Sequence, residues 1–346
     1  MITTPSAQTY AEAKQLLQSW NLVAFPTETV YGLGANALDT EAVSKIFATK
    51  WRPQTNPIIV HLGDVDQILD YAHITSPWEQ LIIEKLMPGP LTILLHKKPN
   101  VPDMVTAGSD FVGIRIPQNQ VARELLIETN LPIAAPSANV STKPSPTTAA
   151  MVRDNFGDKV PMIIDGGDCE VGIESTVVKV EDDRVIITRP WYITKEDLES
   201  ILPTSVQVEY AVKVSEITPG NMFKHYSPGA KVRIFQSIED LVLPCQREVP
   251  ERAEGFANSH FAPAWKLLIL ATTERIEQYQ TELAPYTNHI TVWNRWTKSN
   301  LISCAHNLFT MYHQADNEHF SDILIEQLPE VGLWYAIMNR VKKSAE

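Results

Sequence analysis

The sequence contains few cysteines and no metal-binding motif, which argues against two classes of protein. Its 346 residues include three cysteines, Cys169, Cys245 and Cys304, which lie far apart and form no Cys-x-x-Cys pair. The nine histidines form no His-Glu-x-x-His pattern. Scattered cysteines in odd number are typical of a reducing compartment rather than of a disulfide framework or a zinc module. We therefore expect buried thiols and no metal site built from protein side chains.

The sequence also lacks long apolar runs and an excess of basic residues. No stretch approaches the roughly 18 apolar residues of a membrane-spanning helix, and the first residues, MITTPSAQTY, contain neither part of a signal peptide. The formal net charge of −12 disfavours a broad basic face of the kind that binds duplex nucleic acid. We expect a cytoplasmic protein with no membrane contact and no direct, stable nucleic-acid binding, although a local basic pocket for a small anion is compatible with this charge.

One glycine-rich segment is present, but it fits known phosphate loops poorly. Gly32-x-Gly34-x-x-Ala37 follows the apolar run 22–25 and leads toward a predicted helix. Residues 26–31 separate the apolar run from the first glycine, where a dinucleotide-binding turn would be tight. No Gly-x-x-x-x-Gly-Lys-Ser/Thr loop occurs either. If phosphate is bound, side chains rather than a glycine loop must hold it.

The order of apolar runs and helical patterns predicts two α/β domains. Residues 1–203 alternate short apolar runs with helical segments, and some runs follow each other too closely for helical crossovers, so we expect a large mixed sheet. Residues 204–230 contain two Pro-Gly pairs and read as a linker. Residues 231–346 alternate more regularly, which predicts a smaller, Rossmann-like parallel α/β domain.

Several polar residues stand beside the apolar runs and are candidates for binding an anion. Lys50 and Arg52 follow a predicted helix, where cations can also simply complement the helix dipole. Arg115 is the charged residue of an apolar strand and needs an anionic partner, either a structural Asp or Glu or a ligand carboxylate. Further polar groups follow or precede other apolar runs: Ser137, Asn139, Ser145, Glu174, Ser175 and Arg189. Together they predict one polar, cationic pocket at the sheet.

Taken in order, these motifs resemble the threonylcarbamoyl-AMP synthase family, the YrdC-like enzymes and their longer, two-domain Sua-type members. The resemblance covers residues 6–202. It rests on eight motifs in order, with PTETVYGLG, KWRP, NPIIVHL, PGPLTILL, VGIRIP, SAN with SPT, DGG and ESTVV, and on the Arg-Pro at 189–190. The HYSP motif at 225–228 and the second domain resemble the long form in particular.

This resemblance implies a fold and a reaction. The fold would be a twisted mixed-sheet YrdC-like domain with a concave cavity. The reaction would convert L-threonine, bicarbonate and ATP to L-threonylcarbamoyl-AMP and pyrophosphate, with Mg²⁺ held mainly by the phosphates. The product would pass to a separate tRNA threonylcarbamoyl transferase, which modifies the adenosine beside the anticodon.

The resemblance also implies roles for individual residues. The threonine contacts would be Thr29, His61, Arg115, Ser175 and the backbone of Ala135. The nucleotide contacts would be Lys50, Arg52, Asn56, Ser137, Asn139, Ser145, Arg189 and, from a linker folding toward the active site, Tyr226. Lys50 and Arg52 would be the catalytic cations. Two residues depart from the family pattern, because Thr142 and Trp191 stand where many relatives have glycine.

Two other functions are compatible with the same fold. An RNA-binding module is disfavoured by the negative charge and by the lack of interleaved aromatic and basic residues. An enzyme that transfers a carbamoyl group to another protein would usually add cysteine-rich or acylphosphatase-like modules. We find neither in this sequence.

Overall fold

The computed structural model describes residues 1–211, 227–237, 240, 266–283, 290–296, 301–329 and 332–345. The chain separates into two compact units, Met1–Phe223 and Lys224–Glu346. Tyr226, Cys245 and most of the predicted linker lie outside the described residues. The boundaries proposed at residues 203 and 231 therefore stay predictions.

The first unit alternates helices and strands, as its sequence pattern indicates. Its strands are β1 Ile2–Thr3, β2 Val23–Phe25, β3 Gly32–Asn36, β4 Val60–His61, β5 Ala72–His73, β6 Leu91–Lys97, β7 Phe111–Arg115, β8 Ile133–Ala134, β9 Met162–Ile164, β10 Thr176–Glu181, β11 Arg184–Arg189 and β12 Gln207–Tyr210. Its helices are α1 Ala7–Gln18, α2 Thr40–Lys50, α3 Ile68–Tyr71, α4 Pro77–Leu86, α5 Asp103–Thr106, α6 Gln120–Thr129, α7 Ala149–Phe156 and α8 Lys195–Ile201.

These strands form one large mixed sheet, which confirms the predicted fold class. Their order is β1-β9-β2-β3-β8-β4-β7-β6-β10-β11-β12, and β5 also pairs with β6. The sheet contains parallel pairs, such as β4 with β7, and antiparallel pairs, such as β6 with β7. Strand β12 pairs with β11, so the sheet continues beyond residue 203.

Helix α6 illustrates how the sequence determines an element of this unit. The Asn119 side chain accepts a hydrogen bond from the Ala122 backbone N–H and caps the first turn. Ala122, Leu125, Leu126 and Thr129 are buried, and their helical spacing places them on one face. The helix ends where Asn130 takes a left-handed conformation, with φ of 51°. Its start is fixed beside the candidate site, because Gln118 and Asn119 donate backbone hydrogen bonds to Glu28.

The glycine-rich segment forms a strand rather than a turn. Gly32 and Gly34 lie in β3, which pairs antiparallel with both β2 and β8. A Cβ atom at Gly34 would lie 2.7 Å from Ile133 Cγ2 and 2.9 Å from Phe25 Cε1. The predicted helix follows this segment as α2, but the sequence pattern did not identify the glycine segment itself as a strand, because glycines that allow close packing resemble those of a turn.

Replacing Gly34 with alanine is expected to destabilise the first unit by about 1–3 kcal/mol, because the new methyl group has no space. The measurement is the midpoint of urea unfolding. Gly32→Ala is the matched control, since its nearest contact would be 3.3 Å, to Ala135 Cβ. Equal midpoints for the two variants would contradict the packing explanation.

The second unit contains an all-parallel sheet, as predicted. Its strands are β13 Lys231–Phe235, β14 Leu267–Thr272, β15 Ile290–Trp296 and β16 Asp322–Glu326, in the order β13-β16-β14-β15. Its described helices are α9 Thr273–Leu283, α10 Leu301–Asn317 and α11 Gly332–Ala345. One face of α10 packs into the core, since Cys304, Ala305, Leu308 and Phe309 are buried at helical spacing.

Glu326, the last residue of β16, is buried in the second unit. Its Oε2 atom accepts hydrogen bonds from the backbone N–H of Thr272, at 2.9 Å, and from the Thr272 hydroxyl, at 3.0 Å. Arg275 Nη1 lies 3.4 Å from Glu326 Oε1. The carboxylate therefore lies at the N-terminus of α9, beside the ends of the two central strands.

Two further observations concern the expectations drawn from composition. Cys169 and Cys304 are buried thiols, as the composition led us to expect. Among the described residues, no helix is both long and apolar enough to cross a membrane.

Candidate functional site

The residues that the resemblance links to threonine lie at one end of the first sheet. His61 ends β4 and is the register partner of Arg115, which ends β7. His61 also pairs in register with Ile133 of β8, and Ala135 directly follows that strand. Ser175 directly precedes β10, whose Thr176 pairs with Leu91 of β6. The strand register thus brings together residues from four separate motifs.

Arg115 is buried and is held by two neighbouring residues from the segment between β2 and β3. Its Nη2 atom donates to Glu28 Oε1 at 2.7 Å, and its Nη1 atom donates to Thr29 Oγ1 at 2.9 Å. The third nitrogen, Nε, is buried and has no hydrogen-bond partner. The sequence left open whether Arg115 pairs with a structural carboxylate or a ligand. The structure identifies Glu28 as a structural partner, and the unpaired Nε–H leaves a donor for a ligand.

Thr29 is fixed by its own segment. Its hydroxyl lies 2.8 Å from the hydroxyl of Thr27, which also donates to the backbone carbonyl of Val30 at 2.7 Å. All of these groups are buried. The turn therefore orients Thr29 toward Arg115 before any ligand binds.

His61 is a buried, neutral imidazole. Desolvation by burial, together with the positive charge of Arg115, lowers the pKa of His61 to about 3. Its ring makes an edge contact with Phe25, with centroids 6.0 Å apart. The Nδ1 atom is buried and has no hydrogen-bond partner. A neutral histidine with an unpaired ring nitrogen can serve a ligand as a hydrogen-bond donor or acceptor.

The low pKa of His61 predicts that acid destabilises the fold. Between the unfolded pKa of about 6.5 and the folded pKa of about 3, the unfolded chain binds a proton that the folded chain does not. Stability is therefore fully present above about pH 6.5 and falls as the pH decreases toward 3, by on the order of 1 kcal/mol per pH unit. The measurement is the free energy of unfolding against pH for His61→Gln, which we expect to reduce this slope. His73→Gln is the control, because His73 is exposed. An unchanged slope in His61→Gln would contradict the assignment of this pH dependence to His61.

Ser175 connects the predicted threonine side to the predicted nucleotide side. Its hydroxyl lies 2.7 Å from that of Thr92. Arg189 donates from Nε to the Ser175 backbone carbonyl at 2.9 Å and from Nη2 to the Ser175 hydroxyl at 3.0 Å. All three side chains are buried. Sequence analysis did not identify Thr92, whose position at the start of an apolar strand carries no distinguishing signal.

Lys50 is almost fully buried at the end of α2, and its ammonium group holds the loop after β8. It donates to the backbone carbonyl of Ser137 at 2.5 Å and to that of Asn139. Burial, with a smaller contribution from Arg52, lowers the pKa of Lys50 well below its ordinary value. In the same loop, the Ser137 hydroxyl donates to Asn139 Oδ1 at 2.6 Å. Lys50 therefore fixes the loop in addition to supplying charge.

The remaining nucleotide-side residues are also held by short contacts. Arg52 donates from Nη2 to the Pro57 carbonyl at 2.7 Å and from Nε to the Asn56 carbonyl at 3.2 Å. The Ser145 hydroxyl donates to Glu174 Oε1 at 2.6 Å. Because Glu174 precedes Ser175 in the chain, the loop that contains Ser145 is tied directly to the threonine side.

Of the two departures from the family pattern, the one at Thr142 lies at a position whose backbone conformation favours glycine. Thr142 has a φ of 75°, a left-handed conformation that glycine adopts without strain. Trp191 is buried, with 2% of its surface exposed. Nothing in the structure explains why tryptophan stands at this position.

The structure describes twelve of the thirteen predicted site residues. Ala135 lies beside the site, and its backbone N–H donates to the Ile59 carbonyl at 2.9 Å. Tyr226 lies outside the described residues. Glu28 was not predicted as a site residue. The need of Arg115 for an anion indicated that a carboxylate or a ligand lies beside it, but it did not indicate which residue supplies that carboxylate.

Comparisons with known proteins agree with the resemblance of the sequence motifs. A family model for Sua5, YciO and YrdC proteins, described as "Telomere recombination", matches residues 15–190. A second model, described as "Threonylcarbamoyl-AMP synthase, C-terminal domain", matches residues 193–346.

Individual relatives match over nearly the whole chain. The chain is 36% identical to the threonylcarbamoyl-AMP synthase of Bacillus subtilis, an alignment that covers 97% of this chain and 92% of that protein. It is 34% identical to the threonylcarbamoyl-AMP synthase of Pyrococcus abyssi, covering 96% and 93%. A crystal structure of Pyrococcus abyssi Sua5 complexed with L-threonine superposes with a TM-score of 0.83 at 31% identity, covering 100% of this chain and 97% of that one.

Proposed function

This chain belongs to the threonylcarbamoyl-AMP synthase family, and we propose that it makes its product with the residues gathered at the end of the first sheet. The enzyme synthesises L-threonylcarbamoyl-AMP, with L-threonine and ATP as substrates. Three further points are our proposal. They are the assignment of individual residues to these substrates, the source of the carbamoyl carbon and the fate of the product.

The observation that carries the proposal is the pair of unpartnered nitrogens on neighbouring strands, His61 Nδ1 and Arg115 Nε. Both atoms are buried, and their residues are register partners. Buried polar groups without partners are uncommon and unfavourable, so such a pair favours a ligand that supplies them. In our proposal the threonine carboxylate binds Arg115, while Thr29, His61, Ser175 and the backbone of Ala135 contact the rest of the amino acid.

The nucleotide would bind on the side of Lys50, Arg52 and Arg189. Hydroxyl and amide groups on that side come from Ser137, Asn139, Ser145 and Asn56. Tyr226 is included among the nucleotide contacts on the basis of its sequence motif alone. Lys50 has three ammonium N–H groups, and two of them hold backbone carbonyls. The remaining N–H, with the guanidinium of Arg52, would stabilise the charge that grows on the α-phosphate.

The proposed chemistry requires no nucleophile from the protein. The threonine amine condenses with bicarbonate to form a carbamate and water. A carbamate oxygen then bonds to the α-phosphorus of ATP, the bond from that phosphorus to the bridging oxygen breaks, and pyrophosphate leaves with the electron pair. The protein contributes orientation of the two substrates and fixed positive charge.

Mg²⁺ would enter on the phosphates of ATP as part of the substrate. The nucleotide-side residues are mostly cations, hydroxyls and amides, which are poor magnesium ligands compared with carboxylates. Among the residues that the structure describes, no group of three or more His, Cys, Asp or Glu side chains could hold a metal ion. Phosphate oxygens and water would therefore supply most of the ligands.

We further propose that the product passes to a separate tRNA threonylcarbamoyl transferase in the cytoplasm. The net charge of −12 supports an enzyme that does not itself hold tRNA stably. No membrane contact is part of this proposal.

The test is pyrophosphate release by the full chain with ATP and Mg²⁺. We expect release to require L-threonine and bicarbonate together, with L-threonylcarbamoyl-AMP identified by mass spectrometry. Isotope from labelled bicarbonate should appear in the product. Release that is independent of bicarbonate would overturn the proposed source of the carbamoyl carbon.

A further inference from the structure

Glu28 occupies a position that the family comparisons leave without a role. Its Oε1 atom accepts the 2.7 Å hydrogen bond from Arg115, and Oε2 accepts from the backbone N–H groups of Gln118 and Asn119 at 3.1 and 3.4 Å. Only about 5% of each side chain of the ion pair is exposed. Arg115, the residue expected to bind the substrate carboxylate, is therefore already neutralised by a carboxylate of the protein.

Three titratable groups beside this ion pair, those of His61, Cys169 and Tyr31, carry no charge at neutral pH. His61 is neutral because burial and Arg115 lower its pKa to about 3. The thiol of Cys169 interacts electrostatically with both Glu28 and Arg115, and burial raises its pKa, so it stays protonated. The phenol of Tyr31 near Cys169 also stays protonated, because burial raises its pKa. The charges of Arg115 and Glu28 thus cancel within the buried pair itself.

We propose that Glu28 is a specificity-determining residue that makes this site select a zwitterionic α-amino acid over a simple carboxylate. The inference rests on the proposed function, because it takes Arg115 as the carboxylate-binding residue. It assigns to Glu28 the rejection of 2-deamino analogues of threonine.

Net charge is unfavourable in a buried site. A lone buried arginine attracts any carboxylate of suitable shape. With Glu28 present, a monoanion would leave one arginine and two carboxylates together, a net negative charge that is unfavourable where the effective dielectric constant is low. A zwitterion brings one charge of each sign and leaves the charge balance of the Arg115–Glu28 pair unchanged. The pair therefore favours a ligand that carries an ammonium group as well as a carboxylate.

A purely structural role for Glu28 gives a different expectation. Glu28 fixes Arg115 and binds the backbone before α6, so its loss could loosen the whole site. Loosening would weaken every carboxylate ligand. A specificity role instead changes the affinities of zwitterionic and anionic ligands in opposite directions.

The experiment measures the binding of L-threonine and (R)-3-hydroxybutanoate to the full chain by calorimetry. The second ligand is threonine without its amino group. For Glu28→Gln, we expect the dissociation constant of L-threonine to rise at least threefold and that of hydroxybutanoate to fall at least threefold. Glu28→Asp keeps the negative charge and should keep the preference for threonine. Parallel weakening of both ligands in Glu28→Gln, or an unchanged preference, would overturn the proposal.

Glu79→Gln is the matched control for the loss of a buried carboxylate. Glu79 is also buried at the start of a helix, where it accepts backbone hydrogen bonds from Thr75 and Ser76. We expect this variant to lower the melting temperature without changing the ligand preference. A shift in preference equal to that of Glu28→Gln would show a general loss of stability and overturn the proposal.

A measurement on the unmodified protein covers the case in which Glu28→Gln does not fold. L-Threonine amide carries only the ammonium charge, and hydroxybutanoate carries only the carboxylate. The wild-type chain should bind both at least tenfold more weakly than threonine. Hydroxybutanoate bound as tightly as threonine would overturn the proposal. Failure of the proposed function gives a different result. In that case the threonine affinity of Arg115→Lys would equal that of the wild type.

Discussion

Replacing Lys50 with methionine is expected to lower the turnover number by about a hundredfold or more, with a much smaller change in threonine affinity. Loss of one positioned donor to a developing oxyanion typically costs on the order of 10²–10³ in rate. Lys50 also holds the carbonyls of Ser137 and Asn139, so its loss releases a loop of the nucleotide side. An interaction made mainly in the transition state affects turnover more than substrate binding.

The measurement is steady-state pyrophosphate release, compared with threonine binding by calorimetry. Arg52→Ala should lower turnover in the same way, because Arg52 supplies the second cation. Lys45→Met is the matched control, since Lys45 lies on the same helix and has no proposed substrate contact. Wild-type turnover in the Lys50 and Arg52 variants would mean that this cation pair only stabilises the end of α2.

Replacing Arg115 with lysine is expected to raise the dissociation constant of L-threonine at least tenfold, equivalent to about 1.4 kcal/mol. Lysine keeps the positive charge and can still pair with Glu28. It lacks the planar fork and the Nε–H group, which is the buried donor that has no partner in the structure. Threonine affinity should therefore fall even though the charge balance of the site is unchanged.

Calorimetry on the folded variant measures this effect. Arg123→Lys makes the same substitution on α6, where no ligand contact is proposed. We expect its threonine affinity to match that of the wild type. If the affinity of Arg115→Lys also matched, Arg115 would be removed from the threonine site.

The sequence predicted most elements of the first sheet because their apolar runs are long enough to recognise. The run at 57–62 is an instructive exception, since only Val60 and His61 form a strand. A two-residue strand has no periodicity, and its place in the sheet depends on partners in β7 and β8. Here the motif resemblance predicted the site residue, while local pattern could not predict its register.

The ion pair between Arg115 and Glu28 marks the limit of prediction from one sequence. The two residues are 87 positions apart, and their pairing depends on how β7 approaches the segment after β2. Alternation along the strand showed that Arg115 needs an anion, but no local signal selects among the 41 Asp and Glu residues. Glu28 becomes identifiable only after the chain has folded.

The buried Glu326 of the second unit disfavours binding of a phosphate group at the N-terminus of α9. In parallel α/β domains, the N-terminus of a helix beside the strand ends is a common place for a phosphate group. At α9 that place already contains a carboxylate, which accepts the Thr272 backbone N–H and hydroxyl. The carboxylate of Glu326 therefore occupies the place that a bound anion would take at this helix. A designer who wished to install a nucleotide there would first have to remove the negative charge of Glu326.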